Sequence, residues 1–571
     1  MGERSVIEPT GQPGGPVPTR PRRPSWKLKP PHDTRTQGMV VSGFDHLEFA
    51  EALFLVCDAP AHAAHPEGKA AWLQALGQVA PITDADRKDP RSASIAFTCT
   101  GLKQLGLSPQ ILSSFSAPFR EGMYQEDRLR RLGDRIDGEW QGTVIDDGPL
   151  WGGNTPVRDV GSPDVADAFY FESGRPKEPQ QPQVPTPITV HALLLLYDKD
   201  QDALNDWARQ VIAALAPYNV NVVRRLRLDL QFDPNHVARE HFGFADGLSQ
   251  PVPFDGSNEE GTAQDSVVLV DGRPAKRDDW HGIRLGDILF GHTNAHHEKA
   301  PGPVVPDDAD GRQAGLVPSG APEGFLNFGL DGTYLVVREL RQYVAAFWKS
   351  MEEGAAKIRA HDPSATHATT EWLSERVVGR NLDGHLLCPS GFLKPDADNY
   401  PQNAFGFIET DPYGHGCPPG SHVRRANPRD GLAKDKTAAR TLLDAANNHR
   451  ILRRGRKYGP KVDGMRLDDS AERGLLFMCL NTDIARQFEF VQQTWLHNKS
   501  FATLFDETDP LIGPKGPFTI REQPLRRIVE VETFIQMAGG EYFFLPSIPA
   551  LKYLATISPR EELPQRFDIG M

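Results

Sequence analysis

The sequence of 571 residues predicts an α+β protein in which helices stack on one face of a sheet. Three observations carry that prediction. Short apolar runs with strand character alternate with amphipathic stretches of helical period. The alternation occurs in two comparable rounds, one in each half of the chain. No apolar run, ALLLLY at 192–197 included, approaches the ~20 residues that cross a bilayer.

In the first round EALFLVCD (51–58) reads as a strand, KAAWLQALGQV (69–79) as a helix and ASIAFTCT (93–100) as a strand running into the turn before GLKQLGL. After a proline-rich interruption at 175–187, HALLLLYDKD (191–200) gives a strand, ALNDWARQVIAAL (203–215) an amphipathic helix and NVVRRLRLDL (221–230) another strand. The second round repeats the pattern. IRLGDILFG (283–291) and GTYLVVREL (332–340) lead into RQYVAAFWKSMEE, and HRILRRG (449–455) and RGLLFMCL (473–480) precede DIARQFEFVQQTWL. The closing segment ETFIQMAGGEYFFLPSIPALKYLA is apolar enough to pack back onto a core. Between these elements lie insertions at 251–282, 292–324 and 376–420, rich in Gly, Pro and Asp. Connections of that length are either ordered around a site or disordered at the surface.

Residues 1–38 hold eight prolines and seven Lys or Arg against three Asp or Glu, with little to bury, and predict a disordered tail. The chain then divides at the FGFADG segment into 39–250 and 251–571. A net charge of −13 and a pI near 5.8 argue against nucleic-acid binding through a broad basic surface. The five cysteines are widely spaced and form no CxxC pair. Arg22-Arg23 is followed by PSWKLKPPHD where an export signal needs an apolar stretch. A cytoplasmic protein without membrane attachment is expected.

Three segments carry chemistry: FGFADGLSQP with Asp246, PPGSHVRRANPR with His422, and HRILRRGRKYG with Arg453. An imidazole can hold haem iron from one side and leave the other open to a small oxidant. A guanidinium on the open side stays charged and stabilises negative oxygen, while a carboxylate moves a proton between the oxygens of peroxide. Each residue also has an ordinary reading. Asp246-Gly247 is a common turn, a single histidine is usually structural, and the run Arg450, Arg453, Arg454, Arg456 and Lys457 can be a solvated basic face. The strand-like alternation around ILRRG nevertheless draws at least one arginine inward, where it demands an anion.

Together these segments resemble the dye-decolorizing peroxidase family, in its longer members. Gly243, Asp246 and Gly247 occupy the family's GxxDG motif, and SHVRRANPR is similar to the segment of the iron-ligating histidine, His422. HRILRRGRKYG is similar to the distal-arginine segment, with the role on Arg453 rather than Arg454. RGLLFMCLNTDIARQFEFVQQTW is similar to the distal wall, where Leu475 and Phe477 would shape peroxide access. With SIAFTCTGLKQLGL and GGEYFFLPS, the likeness runs from about residue 45 to 560.

The resemblance implies two ferredoxin-like domains in tandem, with antiparallel sheets and helices on their outer faces. It also implies one haem b per chain, held mainly by the second domain. The implied reaction consumes hydrogen peroxide and oxidises bulky donors such as dyes and phenols through an oxoferryl intermediate. Haem storage or delivery, oxygenation, and release of iron from haem remain as alternatives. Arg424 and Arg429 are candidate propionate partners, and Glu507 or Asp509 could accept the second ring proton of His422. Tyr334, Tyr343, Trp348 and Trp495 are candidate electron relays, although large aromatics more often fill cores. His292, His296 and His297 read as a solvated loop rather than a metal site. Because an ordinary aspartate titrates near ~4 and must be ionised to act as a base, turnover is expected to be best in mild acid.

Overall fold

The computed structural model describes residues 25–57, 70–153, 188–233, 237–255, 266–393, 403–462 and 468–557, together with the backbone of the paired strands Phe171–Glu172 and Arg175–Pro176. The first half supplies β1 (Phe49–Cys57), α1 (Ala71–Val79), β2 (Arg91–Phe97), β3 (Ala192–Asp198), α2 (Gln201–Leu215) and β4 (Val220–Asp229). The second half supplies β5 (Thr333–Gln342), α3 (Val344–His361), the short α4 (His422–Ala426), β6 (Leu452–Arg453), β7 (Arg456–Tyr458) and β8 (Gly474–Asn481). It continues with the wide-turn helices α5 (Ala485–Glu489) and α6 (Val491–Leu496), then β9 (Ile535–Leu545) and α7 (Ile548–Thr556).

The strands follow the order β5-β8-β7-β4-β1-β3-β2-β9, every neighbour antiparallel, and β9 pairs again with β5, so the sheet closes on itself. Within it β4-β1-β3-β2 and β9-β5-β8-β7 have the same internal order, which is the strand arrangement of a ferredoxin-like unit. The seams are thin: Leu228 and Asp229 pair with Tyr458 and Lys457 at one, and Phe544 with Phe97 at the other. Side chains alternate between two cores, as period-2 strands require. One core holds Leu53, Leu55, Ile95 and Leu194 with Tyr334, Val336 and Phe544 beneath the helices, and the other holds Phe54, Leu193 and Leu195 with Leu335, Leu476 and Met478. Each core therefore draws on both halves of the chain.

Three expectations need correction. The tail was expected to extend to residue 38; residues 1–24 lie outside the described residues, but Trp26–Leu28 forms a strand paired with Val268–Val270. Trp26, Leu28 and Gln37 are buried there. Two apolar side chains and good backbone partners outweigh the proline-rich composition. IRLGDILFG is mostly irregular, with a strand only at Gly282–Arg284 and a 3-10 turn at Leu285–Asp287. Gly286 explains this, because a Cβ there would meet the carbonyl of His292 at 2.3 Å and its backbone needs that close approach. Finally, HRILRRG holds only the two-residue strand Leu452–Arg453, and a second short strand, Arg456–Tyr458, follows it.

Candidate active site

The FGFADG loop is held from below by its own phenylalanines. Phe242 and Phe244 are buried and pack on Phe347 and Trp348 of α3, with ring centroids 4.6 Å apart for Phe242 and Phe347 and a parallel stack of Phe244 on Trp348. Gly243 and Gly247 take φ of 100° and 70°, a region that favours glycine, and so turn the chain between them. Glu240 organises the loop. Its carboxylate accepts from Phe242 N at 2.8 Å, Phe244 N at 2.9 Å and Gln342 Nε2 at 2.9 Å. Burial, against these donors, pushes the Glu240 carboxyl up to about 7. Asp246 is thereby presented half-buried, with its backbone N–H on the Ala238 carbonyl and its side chain accepting from Gly247 N.

Arg453 stands on β6 opposite Cys479 of β8, and Leu452 faces the other core. Its guanidinium donates to the Leu248 carbonyl at 2.5 Å, and its backbone exchanges hydrogen bonds of 3.2 Å with the Gln250 side-chain amide. Burial lowers its pKa, and the negative charge of Asp246 partly offsets that effect. Arg453 and Asp246 therefore share one electrostatic environment. Arg454 turns away, donating to the carbonyls of Met39, Val40 and Val41. Leu475 and Phe477 alternate with buried Leu476 and Met478, so they share the β8 face of Cys479, opposite Arg453.

Around Ser249 lies a group of arginines. Arg429 donates to Ser249 Oγ at 3.2 Å and to the Phe405 carbonyl at 2.9 Å, with its guanidinium 3.9 Å from the centre of the Phe405 ring. Arg450 donates to the Ser249 carbonyl at 3.0 Å and the Trp280 carbonyl at 2.7 Å. Arg380 reaches Asn403 Oδ1 at 3.0 Å and Ser249 Oγ at 3.4 Å. Burial pushes Arg450 and Arg380 down to about 10 and lowers Arg429 further, and the crowding of Arg429 by Arg450 and Arg380 adds to its fall. Among the described residues no carboxylate forms an ion pair with Arg429, Arg450 or Arg453. The basic run is thus buried rather than solvated: Arg450, Arg456 and Lys457 are 7%, 3% and 2% exposed. Arg456 and Lys457 are absorbed by backbone carbonyls.

His422 opens α4. Because a carboxylate only accepts, the imidazole Nδ1–H donates to Asp509, at 3.0 Å from Oδ2 and 3.2 Å from Oδ1. Asp509 is fully buried and also accepts from Leu511 N and Ile512 N. Burial would raise its pKa, but His422 and Arg425 together hold it below the ordinary value. Glu507, the other candidate, is taken by the Thr519 backbone N–H and hydroxyl. Neither residue lies in an exposed turn. Arg425 fixes α4 to α6 by donating to the carbonyls of Trp495, Glu507 and Asn498.

Arg424 does not join the arginine group. It donates to the carbonyls of Asp411 and Cys417, lies over Phe407 and has the Asp411 carboxylate at 3.8 Å, so its own loop satisfies it. Of the aromatic candidates, Tyr334, Trp348 and Trp495 are buried packing residues, and Tyr343 is exposed with its hydroxyl donating to Gln536. Trp495 lies in α6, 5.4 Å between ring centroids from Phe490 and 5.5 Å from His449. His292 is not part of a solvated loop but contacts Asp331; His296 and His297 are exposed. Sequence reasoning missed Glu240, Ser249, Gln250 and Arg380. The first three adjoin or lie within the motif already singled out, whereas Arg380 carries no local signal.

No protein-family model matches the chain. Among curated proteins it is similar to the multifunctional dye peroxidase DyP2 of Amycolatopsis sp., at 30% identity over 384 residues, 64% of this chain and 71% of that protein. It is also similar to Peroxidase 2 of Mycetinis scorodonius, 26% identical over 557 residues, 91% of this chain and 86% of the relative. The fold is shared with the crystal structure of a DyP-type peroxidase from Anabaena sp., with a TM-score of 0.62 and 24% identity over 92% of this chain and 94% of the other. A dye-decolorizing peroxidase in complex with 2,6-dimethoxyphenol likewise gives a TM-score of 0.62 at 21% identity, covering 92% and 99% of the two chains. The structures speak to fold alone, but the Amycolatopsis relative, matched over most of its length, extends the relation to the sequence. The chain belongs to the dye-decolorizing peroxidase family.

Proposed function

We propose that this chain is a hydrogen peroxide-dependent haem peroxidase that oxidises bulky organic donors such as phenols and dyes. The observation that carries the reading is the group of buried Arg429 and Arg450 and half-buried Arg453 around the loop of Asp246, with carbonyls, a hydroxyl and an amide as neighbours and no carboxylate partner among the described residues. Burying such charge is costly unless an anion answers it.

Haem fits these residues. The two propionates would supply the missing negative charge to Arg429 and Arg450, which Arg380 adjoins at Ser249. His422, with Nδ1 engaged by Asp509, would offer Nε2 to the iron, and Leu475 and Phe477 would add apolar lining. We assign one haem b per chain, held mainly by residues 251–571, to a cytoplasmic enzyme. Bound haem would supply a redox-active iron and a conjugated ring able to accept electrons from donors.

The protein's own groups then divide the work. Asp509 fixes the imidazole tautomer and increases its electron donation by holding the Nδ1 proton. Asp246 removes the proton from one oxygen of hydrogen peroxide and returns it to the other, as a positioned carboxylate can. Arg453 stabilises the negative charge that develops as the O–O bond breaks. The Phe242 and Phe244 anchors and the Glu240 carboxylate keep Asp246 in place.

Optical spectra of haem-loaded parent, His422→Ala and Asp246→Asn proteins, recorded before and after hydrogen peroxide, test the reading. His422→Ala should lose the histidine-ligated spectrum. Asp246→Asn should keep it and react with peroxide more slowly by about 10²- to 10⁴-fold. An Asp246→Asn protein as fast as the parent would instead favour haem storage or delivery.

A further inference from the structure

We propose that His32, His292 and Asp331 form a binding site for a divalent late transition ion of the zinc type, independent of the haem chemistry. Their ligand atoms lie within 4.8 Å of one another, and Asp331 is buried. His32 Nδ1 and His292 Nε2 both sit 2.8 Å from the same oxygen, Asp331 Oδ1, and the two rings meet edge to face with centroids 4.8 Å apart. Donors arranged tetrahedrally around an ion with bonds of about 2.1 Å are themselves about 3.4 Å apart. Only small side-chain shifts separate the observed cluster from a coordinating one, with the ion replacing the protons now shared between imidazole and carboxylate.

The rest of the carboxylate is also arranged. Arg35 Nε donates to Asp331 Oδ2 at 2.8 Å, so that oxygen is occupied and Oδ1 faces the imidazoles. A hydrogen-bonded carboxylate of this kind is oriented for one-oxygen coordination. Two imidazoles and a single carboxylate oxygen suit zinc, cobalt, nickel or copper, whereas calcium and magnesium take all-oxygen sets. His32 and His292 side chains retain 22% and 10% exposure, which leaves room for water to complete the coordination.

The site would clamp the start of the described chain to its body. His32 and Arg35 come from the segment that includes the Trp26–Leu28 strand, while His292 and Asp331 come from loops before β5. The same segment continues to Met39, Val40 and Val41, whose carbonyls receive Arg454, the neighbour of Arg453. The ion would therefore stabilise the docking of a segment that braces the Arg453 strand.

Isothermal titration of chelator-treated holoenzyme with Zn²⁺, together with hydrogen–deuterium exchange of the full chain with and without Zn²⁺, tests the assignment. The parent should bind one equivalent and show slowed exchange in peptides spanning 25–42 and 286–300. His32→Gln and His292→Gln should each weaken that binding by about tenfold or more while keeping the parent haem spectrum. The proposal is overturned if the parent binds no zinc, if both variants bind it as the parent does, or if binding leaves exchange in those peptides unchanged. Should either variant fail to fold, the other variant and the parent exchange measurement still decide.

Discussion

Two sets of buried and half-buried arginines in this protein have opposite surroundings. In one set the chain supplies the anion: Arg128 donates to Glu489 at 2.8 and 2.9 Å, Arg338 to Asp134 at 2.5 Å, and Arg224 Nε to Glu339 at 2.6 Å. Tyr542 and Trp151 complete two of these networks by donating to Glu489 and Glu339. Although burial opposes it, the carboxylates raise the pKa of Arg128 and Arg224. In the other set, Arg429, Arg450 and Arg453, burial lowers all three, and no ion pair restores them among the described residues. The first set ties secondary structure together. The second holds positive charge in reserve, and the comparison teaches that a buried cation is informative about ligands only when the fold has withheld its counter-ion.

The contrast can be broken most forcefully on its structural side. Arg128→Met leaves Glu489 buried without its cation and should cost about 3–5 kcal/mol of stability, read from the midpoint of denaturant unfolding at constant slope. A change below 1 kcal/mol would erase the distinction between the sets. Next in size, Arg453→Leu should leave folding near the parent but slow the reaction with hydrogen peroxide by about 10²- to 10³-fold in stopped-flow measurements. Arg429→Met sharpens the comparison through its sign. It should leave the haem-free protein at least as stable as the parent, while haem is lost faster to an acceptor globin. If haem-free Arg429→Met unfolded as readily as Arg128→Met, the charge would be architectural after all.

The smallest effect concerns pH. The Glu240 carboxyl rises from 4.5 to about 7 in the folded protein because it is buried. A carboxyl with a raised folded pKa binds its proton more tightly in the native state, so its contribution to stability is present below about pH 4.5 and is lost as pH rises through 7. Glu240→Gln removes that titration. The difference in unfolding free energy between parent and variant, followed from pH 4.5 to 8, should therefore change across this window and level off above it. A constant difference would show that Glu240 is not titrating there.

Much of the fold is legible in local pattern. The strand at Phe49–Cys57, the helix Gln201–Leu215 and the strand Thr333–Gln342 lie where periodicity puts them, because alternating or helical burial is written directly in residue order. The Trp26–Leu28 strand escaped that reading because its partner, Val268–Val270, is distant in sequence and its proline-rich setting suggests an unfolded chain. Around the site, His422, Asp246 and Arg453 are recognisable because each sits in a motif with several fixed neighbours. The choice of Asp509 over Glu507 is different in kind: both belong to the same acidic segment, and only the packing of α4 against α6 brings one of them to the imidazole.

Residue order by itself determined the alternation of strands and helices, the motifs that carry the chemistry, and the family resemblance those motifs support. Tertiary structure alone decided that the two halves close into one sheet and share their cores, that Arg424 is spent on its own loop while Arg429 is not, and that Arg380 converges on Ser249 from a segment without any motif. The reason is physical. Periodic burial is set by near neighbours, whereas the pairing of a charge depends on which distant group the folded backbone brings within hydrogen-bonding reach.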